Sequence, residues 1–229
     1  MRHLACAMSK FPFQSVGFDL DGTLLDTHRD LGEAVNHALK LGGFETVPVD
    51  SSKDLIGGGA KIMLARAVEA QGGMPDDDFH QLYKQMLRFY SENCAVHSRP
   101  YPGAEAAMDA LDALGVKMAV VTNKFEDFAR SILEQLGIAD RFVTIIGGDT
   151  LGKGRAKPAP DPVLEAQSRC GGGRIAFVGD SSYDVGAARA AGAPVVVAAY
   201  GYCDKPPHEL GGDVVIDSLH GLIPALEAL

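Results

Sequence analysis

Ser15-Val16-Gly17-Phe18-Asp19-Leu20-Asp21-Gly22-Thr23-Leu24 begins as an apolar run and ends in two carboxylates and a glycine. A short apolar run bounded by a turn signal reads as a buried strand. Asp19 and Asp21 stand two residues apart, so they point the same way while the chain stays extended. Two carboxylates this close cannot both ionise cheaply unless a cation joins them or one keeps its proton. That splits their roles, one suited to nucleophile and metal ligand, the other to general acid. Gly22 permits a tight turn. Taken alone, the stretch reads equally well as an Asp-Gly turn closing a strand.

Outward from this strand, the pattern turns helical. Thr27 to Leu41 puts Leu31, Ala34, Val35, Ala38 and Leu39 on one face, with Thr27 as an expected cap and Asp30 three residues on. A second helix is expected around Leu64, entered through Gly57-Gly58-Gly59. A third opens at Pro75 and three aspartates, which suit a helix start. Phe79, Leu82, Tyr83, Met86, Leu87 and Tyr90 form its apolar stripe, read as core packing. Residues 27–97 thus hold helices without a convincing strand. Arg99-Pro100-Tyr101-Pro102-Gly103 reads as a stiff linker.

Beyond the linker, strands and helices alternate. Strands are expected at 116–121, 142–146, 175–178, 195–199 and 214–216, with helices between them and a last one at 219–229. Such alternation argues an α/β fold, a doubly wound parallel sheet. The block at 27–97 is then a helical insertion at the carboxyl end of the first strand, where such sheets bind ligands. The expected division is 1–26 with 98–229 as the core and 27–97 as the insertion.

Three more clusters follow predicted strands. Thr122-Asn123-Lys124 offers a hydroxyl and backbone amides suited to a phosphate oxygen, or an ordinary capped turn. Lys157-Pro158 lies in a proline-rich loop able to hold one lysine in place, or is plain surface. Gly179-Asp180-Ser181-Ser182-Tyr183-Asp184 brings two carboxylates to a strand end, or a helix cap. Carboxylates converging there need a divalent cation, and hard oxygen ligands select magnesium.

Composition narrows the classes. The 229 residues are 46% hydrophobic, enough for a sizeable core and too apolar for a disordered chain. A net charge of −9 disfavours nucleic acid and anionic membranes as partners. No run approaches the ~18 apolar residues of a membrane span. Cys6, Cys94, Cys170 and Cys203 form no CxxC pair, which points away from zinc or a disulfide framework and toward a reduced, cytoplasmic setting. Residues 1–10 are too short an apolar run for a signal peptide, and Met8 is an alternative start.

The four clusters, in this order, resemble the motifs of the haloacid-dehalogenase-like (HAD) superfamily of phosphohydrolases, over nearly the whole chain. The resemblance implies that Asp19 is the nucleophile, forming an aspartyl-phosphate, and that Asp21 protonates the leaving oxygen and then activates water. It makes Thr122, Asn123 and Lys157 the phosphate-binding residues. It places magnesium on Asp19, Asp180 and the backbone carbonyl of Asp21, with Asp184 supporting the metal's waters or orienting Lys157. The insertion would be the family's small helical cap over a small phosphorylated metabolite. Within the superfamily the motifs are most similar to those of phosphoglycolate phosphatases, with 2-phosphoglycolate the first expected substrate and a monomer or homodimer the expected assembly. Tyr183 between the two aspartates departs from the pattern.

A phosphomutase or pyrophosphatase shares the chemistry and stays open as an alternative, and a silent binding module is the non-enzymatic one. A haloacid dehalogenase has no use for Asp21. Gly57-Gly58-Gly59 reads as an anion-binding nest or a plain turn. Lys61, Arg66, Arg99 and Lys124 are candidate partners for a substrate carboxylate, or solvated surface charges. The seven histidines show no metal-ligand spacing.

Overall fold

The computed structural model describes residues 11–49 and 59–229. The leader, Cys6, Gly57 and Gly58 lie outside them. Six strands form one parallel sheet: β1 (Ser15–Phe18), β4 (Lys117–Val121), β5 (Thr144–Ile146), β6 (Ile175–Gly179), β7 (Val195–Ala198) and β8 (Val214–Ile216). Their order is β5-β4-β1-β6-β7-β8. The chain builds one half outward from β1, then crosses back over β1 to build the other. The switch point therefore falls between β1 and β6, and its crevice lies at their carboxyl ends.

The strands are nearly continuous apolar runs because helices cover both faces. Val16, Phe18, Val120 and Val178 are fully buried, with Ala119, Val121, Phe177 and Val197 in a second apolar cluster. The covering helices are α4 (Ala104–Ala113), α5 (Glu126–Gln135), α6 (Asp161–Arg169), α7 (Ser182–Ala190) and α8 (Leu222–Glu227). The last expected helix is divided: Leu219–Gly221 is a 3-10 turn and α8 follows it. Among the described residues no helix is long and apolar enough to cross a membrane. Cys94, Cys170 and Cys203 are free thiols.

Between β1 and α4 lie α1 (His28–Leu41), α2 (Ala60–Glu69) and α3 (Asp76–Asn93). Two features here differ from the sequence reading. The expected linker is not a simple connector: β3 (Arg99–Pro100) pairs antiparallel with β2 (Leu25–Asp26), a two-strand tie at the point where the chain leaves and re-enters the sheet domain. Thr27 does not cap α1 through its side chain. Its hydroxyl donates to Asp21 Oδ1 at 2.6 Å, and Asp30 accepts from the amides of His97 and Ser98 and from the Ser98 hydroxyl. Each bond joins a carboxylate to a neutral donor outside the helix start, and such charge-assisted bonds are stronger than a local hydroxyl cap.

Candidate active site

The register of the sheet assembles the site. Phe18 lies opposite Val120 on one side and Val178 on the other. One step on, Asp19 is level with the ends of both neighbours, and its amide donates to the Val178 carbonyl at 2.9 Å. Thr122 and Asp180 follow β4 and β6 directly. Three of the four motif clusters thus share the edge of three adjacent strands. Lys157 differs: it stands eleven residues beyond β5, in the loop before α6, rather than at a strand end. Asn123 holds that loop, its side-chain amide donating to the Lys157 carbonyl at 3.0 Å.

Lys157 ties the carboxylates together. Its ammonium lies 2.6 Å from Asp19 Oδ1 and 2.6 Å from Asp184 Oδ1. All three side chains are almost fully buried. Burial works against the lysine charge, yet Asp184 and Asp19 overcome it and hold the ammonium protonated beyond its usual range. The other oxygen of Asp184 accepts from the amides of Asp180 and Ser181 and from the Ser181 hydroxyl. Ser181 is the N-terminal cap of α7, so both readings of that motif, cap and carboxylate cluster, apply at once.

Asp180 is held from two sides. Thr23 donates its hydroxyl to Oδ1 at 2.9 Å, and the Tyr202 amide donates to Oδ2 at 2.7 Å. Gly22 keeps this approach open: its φ is +87°, and a Cβ there would collide with the Asp180 carboxylate. Burial, with Asp184 and Asp19 nearby, pushes the Asp180 carboxyl well above its usual range. Burial likewise pushes Asp19 up to about 7, with Asp184 and Asp21 adding and Lys157 opposing.

Carboxylate oxygens of Asp19, Asp180 and Asp184 come within 4.8 Å of one another. Three buried carboxylates against one ammonium leave a dry site short of positive charge. Hard oxygen donors in that number fit a divalent cation such as magnesium.

Asp21 sits in a separate, charge-balanced arrangement. Oδ1 takes the Thr27 hydroxyl and lies 3.0 Å from Lys124 Nζ. Lys124 also donates to the Tyr90 hydroxyl on α3, at 3.0 Å. Burial opposes its charge, but Asp21 and Tyr90 hold it protonated beyond the usual range. Lys124 is therefore engaged with Asp21, not left for a substrate carboxylate. Arg99 donates to the carbonyls of Ser98 and Val96, and neither it nor Arg66 lines the cavity, whereas Lys61 does.

A cavity of about 450 Å³ adjoins Asp19, Asp21, Thr122, Lys157 and Asp180. The stripe on α3 divides over it. Leu82 and Met86 are core, whereas Tyr83, Leu87 and Tyr90 face the cavity. A helix face reads as apolar whether it meets core or pocket, so its sequence spacing does not separate the two. Tyr183 also lines the cavity, which accounts for a bulky residue in that motif. Sequence reasoning missed Tyr202. Its hydroxyl accepts from the amides of Thr27 and His28 and donates to Asp26, while its own amide holds Asp180. It lies beyond β7 with no motif around it.

A family model described as haloacid dehalogenase-like hydrolase matches residues 13–192. A phosphoglycolate phosphatase of Agrobacterium fabrum is 40% identical over 91% of this chain and 90% of its own. An N-acetylmuramic acid 6-phosphate phosphatase of Pseudomonas aeruginosa is 36% identical over 96% and 97%. A crystal structure described as a predicted phosphoglycolate phosphatase from Haemophilus somnus superimposes with a TM-score of 0.86 and 34% identity, over 93% of this chain and 97% of that one.

Proposed function

Because this chain belongs to the haloacid dehalogenase-like hydrolases, we propose that the site just described hydrolyses small phosphate monoesters with magnesium, through a phosphoryl group carried on Asp19. The enzyme is a phosphoric monoester hydrolase. The observation that carries the mechanism is the buried pairing of Asp19 with Lys157, 2.6 Å apart at the switch point of the sheet.

Asp19 attacks phosphorus and the bond to the alcohol oxygen breaks. Asp21, held at Oδ1 by Thr27 and Lys124, enters this step with a proton on its other oxygen and gives that proton to the alcohol oxygen. Asp21 then takes a proton from water, which attacks the phosphoryl group and frees Asp19. Lys157 and Thr122 hold the non-bridging oxygens, and Asn123 fixes the loop that presents Lys157. Asp19, Asp180 and the backbone carbonyl of Asp21 would hold magnesium, with Asp184 supporting them. Held there, magnesium would offset the phosphate's charge beside the carboxylates. The dry setting strengthens each of these interactions.

Residues 27–97 act as a cap over the site, hinged at the β2–β3 tie, with 1–26 and 98–229 as the core. Several relatives are named phosphoglycolate phosphatases, so 2-phosphoglycolate, small enough for the cavity, is the reference substrate for the assay. Phosphate release from 2-phosphoglycolate with and without magnesium tests the reading. Asp19→Asn keeps the fold and abolishes turnover, since an amide does not attack phosphorus. A mutant as active as wild type, or a phosphoryl label trapped on another residue, would falsify the mechanism.

A further inference from the structure

We propose that the preferred substrate is a phosphate monoester whose alcohol half carries a ring-sized apolar face, larger than glycolate. This rests on the phosphatase reading above and extends it to the substrate class.

The cavity has two unlike ends. The carboxylates, Thr122 and Lys157 gather at one. The remaining wall is made largely of Leu31, Met63, Tyr83, Leu87, Tyr90 and Phe128. This wall is not the gap of an open cap. Tyr90 is already seated on the core, bonded to Lys124 and packed edge-on against Phe128 with ring centroids 5.4 Å apart. Gln135 on α5 donates to Cys94 Sγ just past α3. The 450 Å³ is therefore space that persists with the insertion docked.

Size and charge then point the same way. A molecule of 2-phosphoglycolate takes up on the order of 150 Å³, the share of about five waters at ~30 Å³ each. Seated at the polar end with magnesium and its waters, it stops short of the far wall and leaves those aromatic side chains facing water. Its carboxylate also needs a cation. Lys157 is held between Asp19 and Asp184, and Lys124 between Asp21 and Tyr90. Among the described lining residues the remaining lysine is Lys61, exposed at the rim, where an ion pair is worth little. A ring-sized apolar face covers the wall instead and displaces its water. Each methylene buried there raises kcat/KM about fourfold.

Primary alkyl phosphates test this, because their leaving alcohols have similar acidity and differ mainly in what they bury. The full-length enzyme with magnesium is assayed on ethyl, butyl and 2-phenylethyl phosphate and on 2-phosphoglycolate. We expect kcat/KM to rise about thirtyfold or more from ethyl to 2-phenylethyl phosphate, the worth of two to three buried methylenes. The phenylethyl ester should also surpass 2-phosphoglycolate. Leu87→Asn should shrink the phenylethyl-to-ethyl ratio several-fold. A flat series, or 2-phosphoglycolate ranking first, overturns the inference and leaves the phosphatase reading standing. If no ester releases phosphate in an Asp19-dependent way, the phosphatase reading itself has failed.

Discussion

Stripped of metal, the protein should lose stability as pH rises from 5 to 7, and Asp19→Asn should flatten that slope. Asp19 is buried beside Asp184 and Asp21, and burial outweighs Lys157, so its carboxyl is pushed from 3.8 up to about 7. The folded chain therefore keeps a proton that the unfolded chain gives up near 3.8. Where the folded state binds more protons, stability falls with pH. The stabilisation is fully present below 3.8 and is lost as pH climbs through about 7. At up to 1.36 kcal/mol per pH unit, falling to half that slope at pH 7, about 2 kcal/mol disappears between pH 5 and pH 7. Asparagine carries no such proton. Asp180 is raised by burial and also by Asp19, so the mutation relieves Asp180 as well and the difference between the proteins reports both carboxyls together. The measurement is urea denaturation in a chelator at pH 5, 6, 7 and 8. Above pH 7 the metal-free mutant should be the more stable protein. Magnesium should restore the wild type and expel the proton as it binds, so its apparent affinity should strengthen up to about pH 7. Wild-type and mutant stabilities that track one another within about 0.5 kcal/mol across the range would refute the reasoning.

Asp180→Ala should lose activity together with most of its magnesium saturation; an unchanged magnesium titration would reduce Asp180 to a structural residue. Lys157→Met strands carboxylates in a dry site and should cost about 3–5 kcal/mol in urea denaturation at pH 8. The cost should be smaller at pH 5, where the carboxyls take up protons, and an equal cost at both would remove the charge argument. Tyr90→Phe deletes a hydrogen bond to the buried Lys124 ammonium and should cost about 1–3 kcal/mol in the same assay. It should also lower kcat, by loosening Lys124 on Asp21, with little effect on a substrate too small to reach the ring.

Much of the sheet was legible from Ser15 onward because a strand covered on both faces must be apolar throughout, and Asp19, Thr122 and Asp180 each break such a run at its end. The first helix came within one residue of its expected start because its apolar positions repeat at helical spacing. The β2–β3 tie was not legible. Two residues make each strand, too few for any periodicity, and Pro100 reads as a breaker until its partner is in place. Thr27 followed by Asp30 carries a local capping signal, yet both side chains serve distant groups. The α3 stripe named the right residues but not their two destinations.

The sequence by itself determined the parallel α/β architecture, the helical insertion and the family of the chain. These follow from apolar patterning and from short motifs whose spacing along the chain is itself the signal. Only the tertiary structure decided which charges neutralise which. Lys157 reaches Asp19 across 138 positions of chain, and Tyr202 reaches Asp180 across 22. Lys124 passed for a surface charge until folding placed it between Asp21 and Tyr90. A lysine looks the same in sequence whether water or a carboxylate surrounds it. Burial creates the difference, by removing the water that would otherwise screen each pair and by making an unmatched charge too costly to keep.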